Sequence, residues 1–558
     1  MGKGQRRLRM TVVPAVALAV VPGAVPAVAG TDGTQGGAPA AAGVGVAPVM
    51  TGAGVAAGAG VVPVVTGAGV VAGAGGGGAA RQEKGRRREL AWWGCGDGLQ
   101  CAKLSVPADW ARPRGARTEI DVARMPARDP RRRLGHLVVN TGATSSVQDV
   151  RARPDTVSEL TRWFDVVIMD SRGSGDRDSA AAVRCAVPPP DVLRLQLARR
   201  PADWRAYARD NAAYGRSCRA AAGAVRLTPW QVAHDLDALR AALGEERLRY
   251  FGNFYGAVHG QAYAESFPAR VGRMYLEGVP DLTEPVPERR VIARARAVER
   301  QLHTFRDWCR TRLGCPLGRD DAVAVFDDLA RRVPLPAGQR SPVNARRLAA
   351  AVYAGLTLER WPELAAALSA ASSGDAGPLA SLASPAPADD GHGQPSAGVI
   401  QGEAGSVSRM MMCQDAPSYR HYLAMEERLR AIAPRVGWLS GRHEAGRCLG
   451  LTGAGPSREP RHSRPYAGKP VLVGIGRLDV ETPASAAARA AGRIPGSVVL
   501  RHGDGHDAYL LQGVGKLRAT CLRTRVHDYL VKGDLPARGA SCGEALVEGM
   551  SPRGAAGG

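Results

Sequence analysis

The sequence predicts an α/β fold, a mostly parallel sheet with helices on both faces and a helical insertion. Three observations carry that expectation. Short apolar runs alternate with helical stretches at the spacing of strand–helix–strand units, which points to a parallel sheet. Several runs are apolar at every position and then end in a polar residue, as a strand covered on both faces does at its carboxyl edge. One run, Leu248-Arg249-Tyr250-Phe251, passes through Gly252-Asn253-Phe254-Tyr255-Gly256 directly into a helical stretch, Ala257 to Phe267.

Taken in order, residues 1–29 read as an export signal. Lys3, Arg6, Arg7 and Arg9 form a basic start, Met10 to Val21 is apolar, and Ala27-Val28-Ala29 suits cleavage. Pro14, Pro22 and Pro26 interrupt a stretch already short for a membrane span. Residues 30–88 read as a disordered tether of Gly, Ala and Val with a basic end at 81–88. Within it Ala47 to Gly60 repeats as Val62 to Gly75 at a spacing of 15, and two such copies are too few for a solenoid.

The first part of the core, 89–281, holds an alternating strand at Thr118–Arg124 and buried strands at Leu137–Asn140 and Phe164–Asp170. A helix is expected at Thr156–Trp163. Another opens at Thr228-Pro229 and is stopped by Gly244. The elbow strand and helix follow, then a strand at Val271–Leu276. Residues 282–465 change character. Arg289–Arg312, Ala322–Arg332 and Ala345–Leu358 are helical, no strand is evident, and the loops are rich in Pro, Ser and Gly. This is the cap. The second part of the core, 466–545, resumes with strands at Pro470–Gly476 and Val498–Arg501 and a helix from Leu510 to Tyr529, leaving 546–558 as a loose tail.

The formal charge is +22 with only six lysines, so it comes from arginine. Dense runs occur only at 81–88 and 128–133, and neither has interleaved aromatics. Scattered charge of this kind makes no nucleic-acid footprint, and no nucleic-acid partner is expected. An anionic cell-surface polymer is a candidate partner for the basic segments. The ten cysteines contain no CxxC pair and no histidine doublet, which favours disulfides over zinc. Pairing sequence neighbours predicts Cys95–Cys101, Cys185–Cys218, Cys309–Cys315, Cys413–Cys448 and Cys521–Cys542. No metal and no cofactor is expected, and the mature protein is expected to be secreted without a transmembrane span.

A strand, a turn flanked by glycines and a helix describe a nucleophile elbow, whose apex is a serine in a working hydrolase. Here the apex is Phe254, which has no atom able to attack a carbonyl. Acyl transfer also needs a histidine, a carboxylate to orient it and amides for the oxyanion. In chain order the acid follows the nucleophile and the histidine comes last. Asp479 follows the strand ending at Gly476, and His506 follows the next strand. Both stand at the carboxyl edge, where open α/β sheets form their sites. His502 and Asp504 are rivals ranked lower.

With these pieces the chain from Trp92 to Cys542 resembles the secreted tripeptidyl-aminopeptidase and proline-iminopeptidase-like α/β-hydrolases. The matching segments include Cys101 to Pro107, Asp170-Ser171-Arg172-Gly173-Ser174-Gly175, Asp235 to Arg240, Tyr263 to Pro268, Val271 to Val279, the Asp479 loop with Thr482-Pro483, Gly505-His506, and Tyr529 to Pro536. The resemblance implies an α/β-hydrolase fold, an acid at Asp479, a base at His506 and a cleft under the cap that receives peptide or protein N-termini. The chain departs from the family at Phe254 and at the oxyanion loop. That loop is Asn-Pro-Gly-Gly-Pro-Gly-Gly in the family and Asn140-Thr141-Gly142-Ala143-Thr144-Ser145-Ser146 here. A smaller departure follows Cys448, where Leu449-Gly450 replaces Trp-Pro. Oxyanion donors are expected at Gly142, Ala143 and Tyr255. A substitute nucleophile would have to be Tyr255, Ser145 or Ser146, with His259 close by on the elbow helix. The expectation is an exported hydrolase-family protein with impaired catalysis. An active enzyme with another nucleophile and a basic adhesion protein on a hydrolase scaffold are the alternatives.

Overall fold

The computed structural model describes residues 90–175, 179–281, 284, 286–383, 408–413, 417–451, 468–494, 496–514 and 519–549. The expected export signal, tether and basic run at 81–88 lie outside the described residues.

Among the described residues ten strands form one sheet. They are β1 (Trp93–Gly94), β2 (Gln100–Pro107), β3 (Arg117–Met125), β4 (His136–Asn140), β5 (Asp165–Met169), β6 (Leu248–Asn253), β7 (Val271–Glu277), β8 (Val471–Gly476), β9 (Ser497–His502) and β10 (Ser541–Cys542). Their order is β1-β2-β3-β5-β4-β6-β7-β8-β9-β10. The pairs β1–β2, β2–β3 and β3–β5 are antiparallel, and every pair from β5–β4 to β9–β10 is parallel.

The core helices are α1 (Ser146–Ala152), α2 (Val192–Leu197), α3 (Pro201–Ala222), α4 (Pro229–Ala242) and α5 (Tyr255–Ser266). The cap carries α6 (Pro287–Thr311), α7 (Ala322–Arg332), α8 (Ala345–Gly355), α9 (Trp361–Ser372), α10 (Gly377–Leu382), α11 (Ser408–Met412), α12 (Tyr419–Ile432) and α13 (Leu439–Cys448). Last come α14 (Ala484–Ala491), α15 (Ala508–Gln512), α16 (Cys521–Lys532) and α17 (Ala545–Gly549).

The continuous apolar runs have a direct cause. Along β4, Leu137 and Val139 enter one core with Val147, Phe251, Tyr275, Leu472 and Leu530, while Val138 enters another with Leu236, Tyr250, Ala264 and Val473. A strand so covered has no wet face, and each large side chain it buries contributes about 1.5–3 kcal/mol. A further core, built on Phe305, Trp308, Trp361 and Leu439 of the cap, also takes in Trp204 of α3. The five disulfides join the sequence-neighbour pairs.

Several expectations need correction. Thr156–Trp163 is not an α-helix; it is two 3₁₀ turns, Pro154–Thr156 and Ser158–Arg162. Leu510–Tyr529 is two helices, α15 and α16, and Thr520 starts the second by accepting from the Arg523 N–H. Residues 546–549, expected in a loose tail, belong to α17, where Val547 is buried, and 550–558 lie outside the described residues. Helix α3 was not anticipated, although Trp204, Tyr207, Asn211, Tyr214 and Cys218 recur along it at helical spacing and are all buried.

Candidate active site

Strand β6 ends at Asn253 and α5 starts at Tyr255, which leaves Phe254 alone in the turn with a φ of 44°. Side chains rarely occupy that region, and holding one there costs about 1–3 kcal/mol. The elbow glycines permit the tightness. A Cβ on Gly252 would lie 2.5 Å from the Gly256 carbonyl oxygen, and one on Gly256 would lie 2.4 Å from that of Asn140. The Phe254 N–H donates to the Glu277 carbonyl at 3.1 Å, so the turn is pinned to β7.

Asp479 and His506, the expected acid and base, converge on this turn. His506 Nδ1 lies 2.9 Å from Asp479 Oδ2. Asp479 is held in turn by the Thr482 N–H at 2.7 Å and by the Thr482 hydroxyl. The Phe254 ring packs edge-on against the imidazole, with centroids 4.9 Å apart and planes at 76°. His506 Nε2, the nitrogen Asp479 does not engage, is buried without a hydrogen-bond partner. On its other contacts Phe254 meets the Tyr255 ring at 4.6 Å and the Arg447 guanidinium at 5.8 Å.

Burial by itself favours a neutral imidazole. The carboxylates of Asp479, Asp507 and Glu481 outweigh it and raise His506 to about 10. At neutral pH the ring is therefore a cation, already carrying the proton that a general base must take up. Asp479 moves the other way: burial raises its carboxyl, but the adjacent imidazolium and the Thr482 hydrogen bonds bring it below the ordinary value. Asp507 is fixed by the Asn253 side-chain amide.

The oxyanion loop closes on the elbow. Gly142, at φ 82°, sits where a Cβ would lie 2.5 Å from the Asn253 carbonyl oxygen and 3.0 Å from Phe254 Cβ. Its N–H donates to the Asn140 side-chain oxygen at 3.1 Å, and the Thr141 N–H donates to Ser146 Oγ at 3.1 Å. Ala143 is exposed, and Tyr255 is the first residue of α5. Ser145 Oγ donates to Asp170 at 2.8 Å and accepts from the Gln148 N–H, capping α1. The Tyr255 hydroxyl accepts from Arg447 at 3.0 Å. His259 is buried, lies 3.4 Å from Ser171 Oγ, and is lowered to about 3 by burial. Each candidate substitute nucleophile thus has a structural partner.

The rival residues serve the scaffold. His502 Nε2 faces Glu277 at 3.3 Å, and Asp504 accepts from Gln512 at 2.7 Å and from the Leu546 N–H at 3.0 Å. Arg447, Arg294, Glu481 and Tyr353 line the cap side of the site and escape sequence reasoning. Arg294 pairs with Glu481 and donates from Nε to the Tyr353 hydroxyl at 3.1 Å. Burial alone would raise Glu481, but Arg294 first, and Arg447 with it, lower it to about 2.

Comparison with known proteins matches residues 439–542, which run from α13 through the Asp479 and His506 loops, to a family described as TAP-like protein. The chain has the α/β-hydrolase fold, and its segment 439–542 is similar to the TAP-like family. Over 483 residues it is 28% identical to the serine protease Hip1 of Mycobacterium tuberculosis, covering 80% of this chain and 87% of that protein. It is 26% identical over 499 residues to the tripeptidyl aminopeptidases of Streptomyces coelicolor and Streptomyces lividans, covering 84% of this chain and 88% and 89% of theirs. No helix among the described residues is long and apolar enough to cross a membrane.

Proposed function

We propose that the protein is an exported, catalytically impaired hydrolase whose cleft under the cap receives peptides or protein N-termini without cleaving them. The observation that carries this reading is the Phe254 ring seated against His506, with Nε2 buried, making no hydrogen bond and lying 3.9 Å from Asp507 Oδ1. An aromatic ring stands where an attacking oxygen belongs, and the imidazole beside it is held protonated. Loss of the serine from a comparable triad lowers kcat by about 10⁶-fold. The loop that would hold the oxyanion has its Gly142 amide engaged by Asn140, which weakens the remaining electrostatic contribution. The names of the relatives, a serine protease and tripeptidyl aminopeptidases, supply the ligand class. Five disulfides accord with an oxidising compartment, and the first 29 residues suit export.

The test is labelling by a fluorophosphonate probe. The purified wild-type protein stays unlabelled, whereas Phe254→Ser gains weak labelling that Gly142's engaged amide keeps below that of an active relative. Labelling of the wild type that disappears in His506→Ala would overturn the proposal.

A further inference from the structure

On the cap side of the elbow, cap helices and the loop after β8 bring together a buried cluster of charge. His443 lies within electrostatic reach of Arg294, Glu481, Arg447 and Arg409. Arg294 is answered by Glu481, and Arg447 donates to the Tyr255 hydroxyl. Arg409 differs. It is only 3% exposed, it reaches the neutral Tyr207 hydroxyl, and its Nε and one terminal nitrogen, Nη1, have no hydrogen-bond partner. No carboxylate among the described residues lies at ion-pair distance from it. His443, 2% exposed, likewise has both ring nitrogens buried and unpartnered. Burial first, and the surrounding guanidiniums next, lower His443 well below its ordinary range, so the ring is neutral and carries one N–H donor.

The protein holds these two groups in place. Arg409 is on α11 and His443 on α13, and the Cys413–Cys448 disulfide ties the residue after α11 to the last residue of α13. The Tyr207 hydroxyl donates to the Gly446 carbonyl at 2.8 Å, so the group that meets Arg409 is itself anchored to α13. A guanidinium desolvated without a counter-charge is strongly unfavourable, as is an unsatisfied buried imidazole. The orphaned atoms are shielded from bulk solvent, so whatever answers them is enclosed with them. A partner that satisfies both must be desolvated with them, accept several hydrogen bonds and carry negative charge.

We propose that Arg409 and His443 form the receiving end of a buried binding site for a compact oxyanion, a carboxylate or inorganic phosphate, beside the elbow under the cap. Arg409 supplies charge and donors, His443 adds one N–H, and Arg447 connects the cluster to the surface of Phe254. The site is separate from the Asp479–His506 pair. Probe labelling reads the elbow and oxyanion binding reads this cluster, so either can fail alone.

The experiment compares full-length wild type, Arg409→Gln and His443→Phe by thermal melting and isothermal titration. The probes are inorganic phosphate, acetate and succinate, with sodium chloride matched for ionic strength. A ligand that binds only the folded state raises the melting temperature saturably. Wild type should respond to at least one probe; phosphate alone marks a tetrahedral anion and a carboxylate alone marks a planar one. Affinity should fall about tenfold or more in Arg409→Gln and measurably in His443→Phe. In buffer free of these anions, Arg409→Gln should melt no lower than wild type, because it removes a buried charge that no described carboxylate answers. A wild type with no saturable response to any probe overturns the proposal, and so does undiminished binding in both variants. If Arg409→Gln does not fold, His443→Phe decides by the same two criteria.

Discussion

At Phe254 a backbone φ of 44° and a ring only 5% exposed pull in opposite directions on any substitution. Removing the ring costs about 3–5 kcal/mol in a packed site. Alanine keeps a Cβ in a region that disfavours it, whereas glycine does not. Phe254→Gly should therefore be more stable than Phe254→Ala by about 1 kcal/mol, the reverse of their order at an ordinary helical position. Urea denaturation midpoints measure this, and an alanine variant equal to or more stable than the glycine would rule out strain at the apex. His506 gives a second prediction. Its folded pKa, about 10, lies above the unfolded value near 6.5, so the stabilisation is complete below pH 6.5 and fades as pH climbs through 10. The stability difference between wild type and His506→Gln should shrink across that window, and a constant difference would dismiss the ion pair as its source. The pair itself is legible in the sequence, because each member follows a buried strand in the expected order. Glu481 and Arg447 are not, since their partners come from distant segments that no local pattern connects.

Among elements, the segments that resemble the family turn out to be braces. Arg172 is fully buried and donates from Nε to Asp235 Oδ2 at 2.7 Å and from a terminal nitrogen to the Ala108 carbonyl at 2.9 Å. Trp110 Nε1 donates to the same carboxylate at 2.8 Å. These contacts join the loop after β5 to α4 and to the loop after β2. Asp170 receives Ser145 and the Val147 N–H, which ties α1 to the end of β5, and burial raises its carboxyl to about 7. Arg172→Met leaves Asp235 as a buried, unpaired charge and should cost about 3–5 kcal/mol. Chemical denaturation would measure it, and a loss below ~1 kcal/mol would mean that the pair behaves like a surface contact. The strands and the long cap helices are legible because apolar runs and periodicity are local signals. The 3₁₀ turns at 154–162 are not, since Pro154 and the packing of Val157 and Leu160 under the sheet decide the backbone there. Helix α3 carries an arginine-rich outer face that masks its inner stripe.

Across the whole molecule the sheet runs through both halves of the core, and the cap packs around its own aromatic cluster. The fold and all five disulfides are readable in the sequence, the disulfides because the pairing of sequence neighbours closes local loops. The charge cluster between cap and elbow is not readable, since it exists only after α6, α11, α13 and the loop after β8 have come together.

Residues 541–549 have a bearing on the His506 loop. Gly503 donates its N–H to the Gly543 carbonyl at 3.1 Å, Asp504 accepts from Leu546, and Cys542 is bonded to Cys521. These ties splint the loop from behind, so a protease that trimmed the protein back past 541 would loosen the imidazole without touching the cleft. Amide hydrogen exchange at 502–507 should accelerate in a chain ending at Ala540, and unchanged exchange would show that the splint is dispensable.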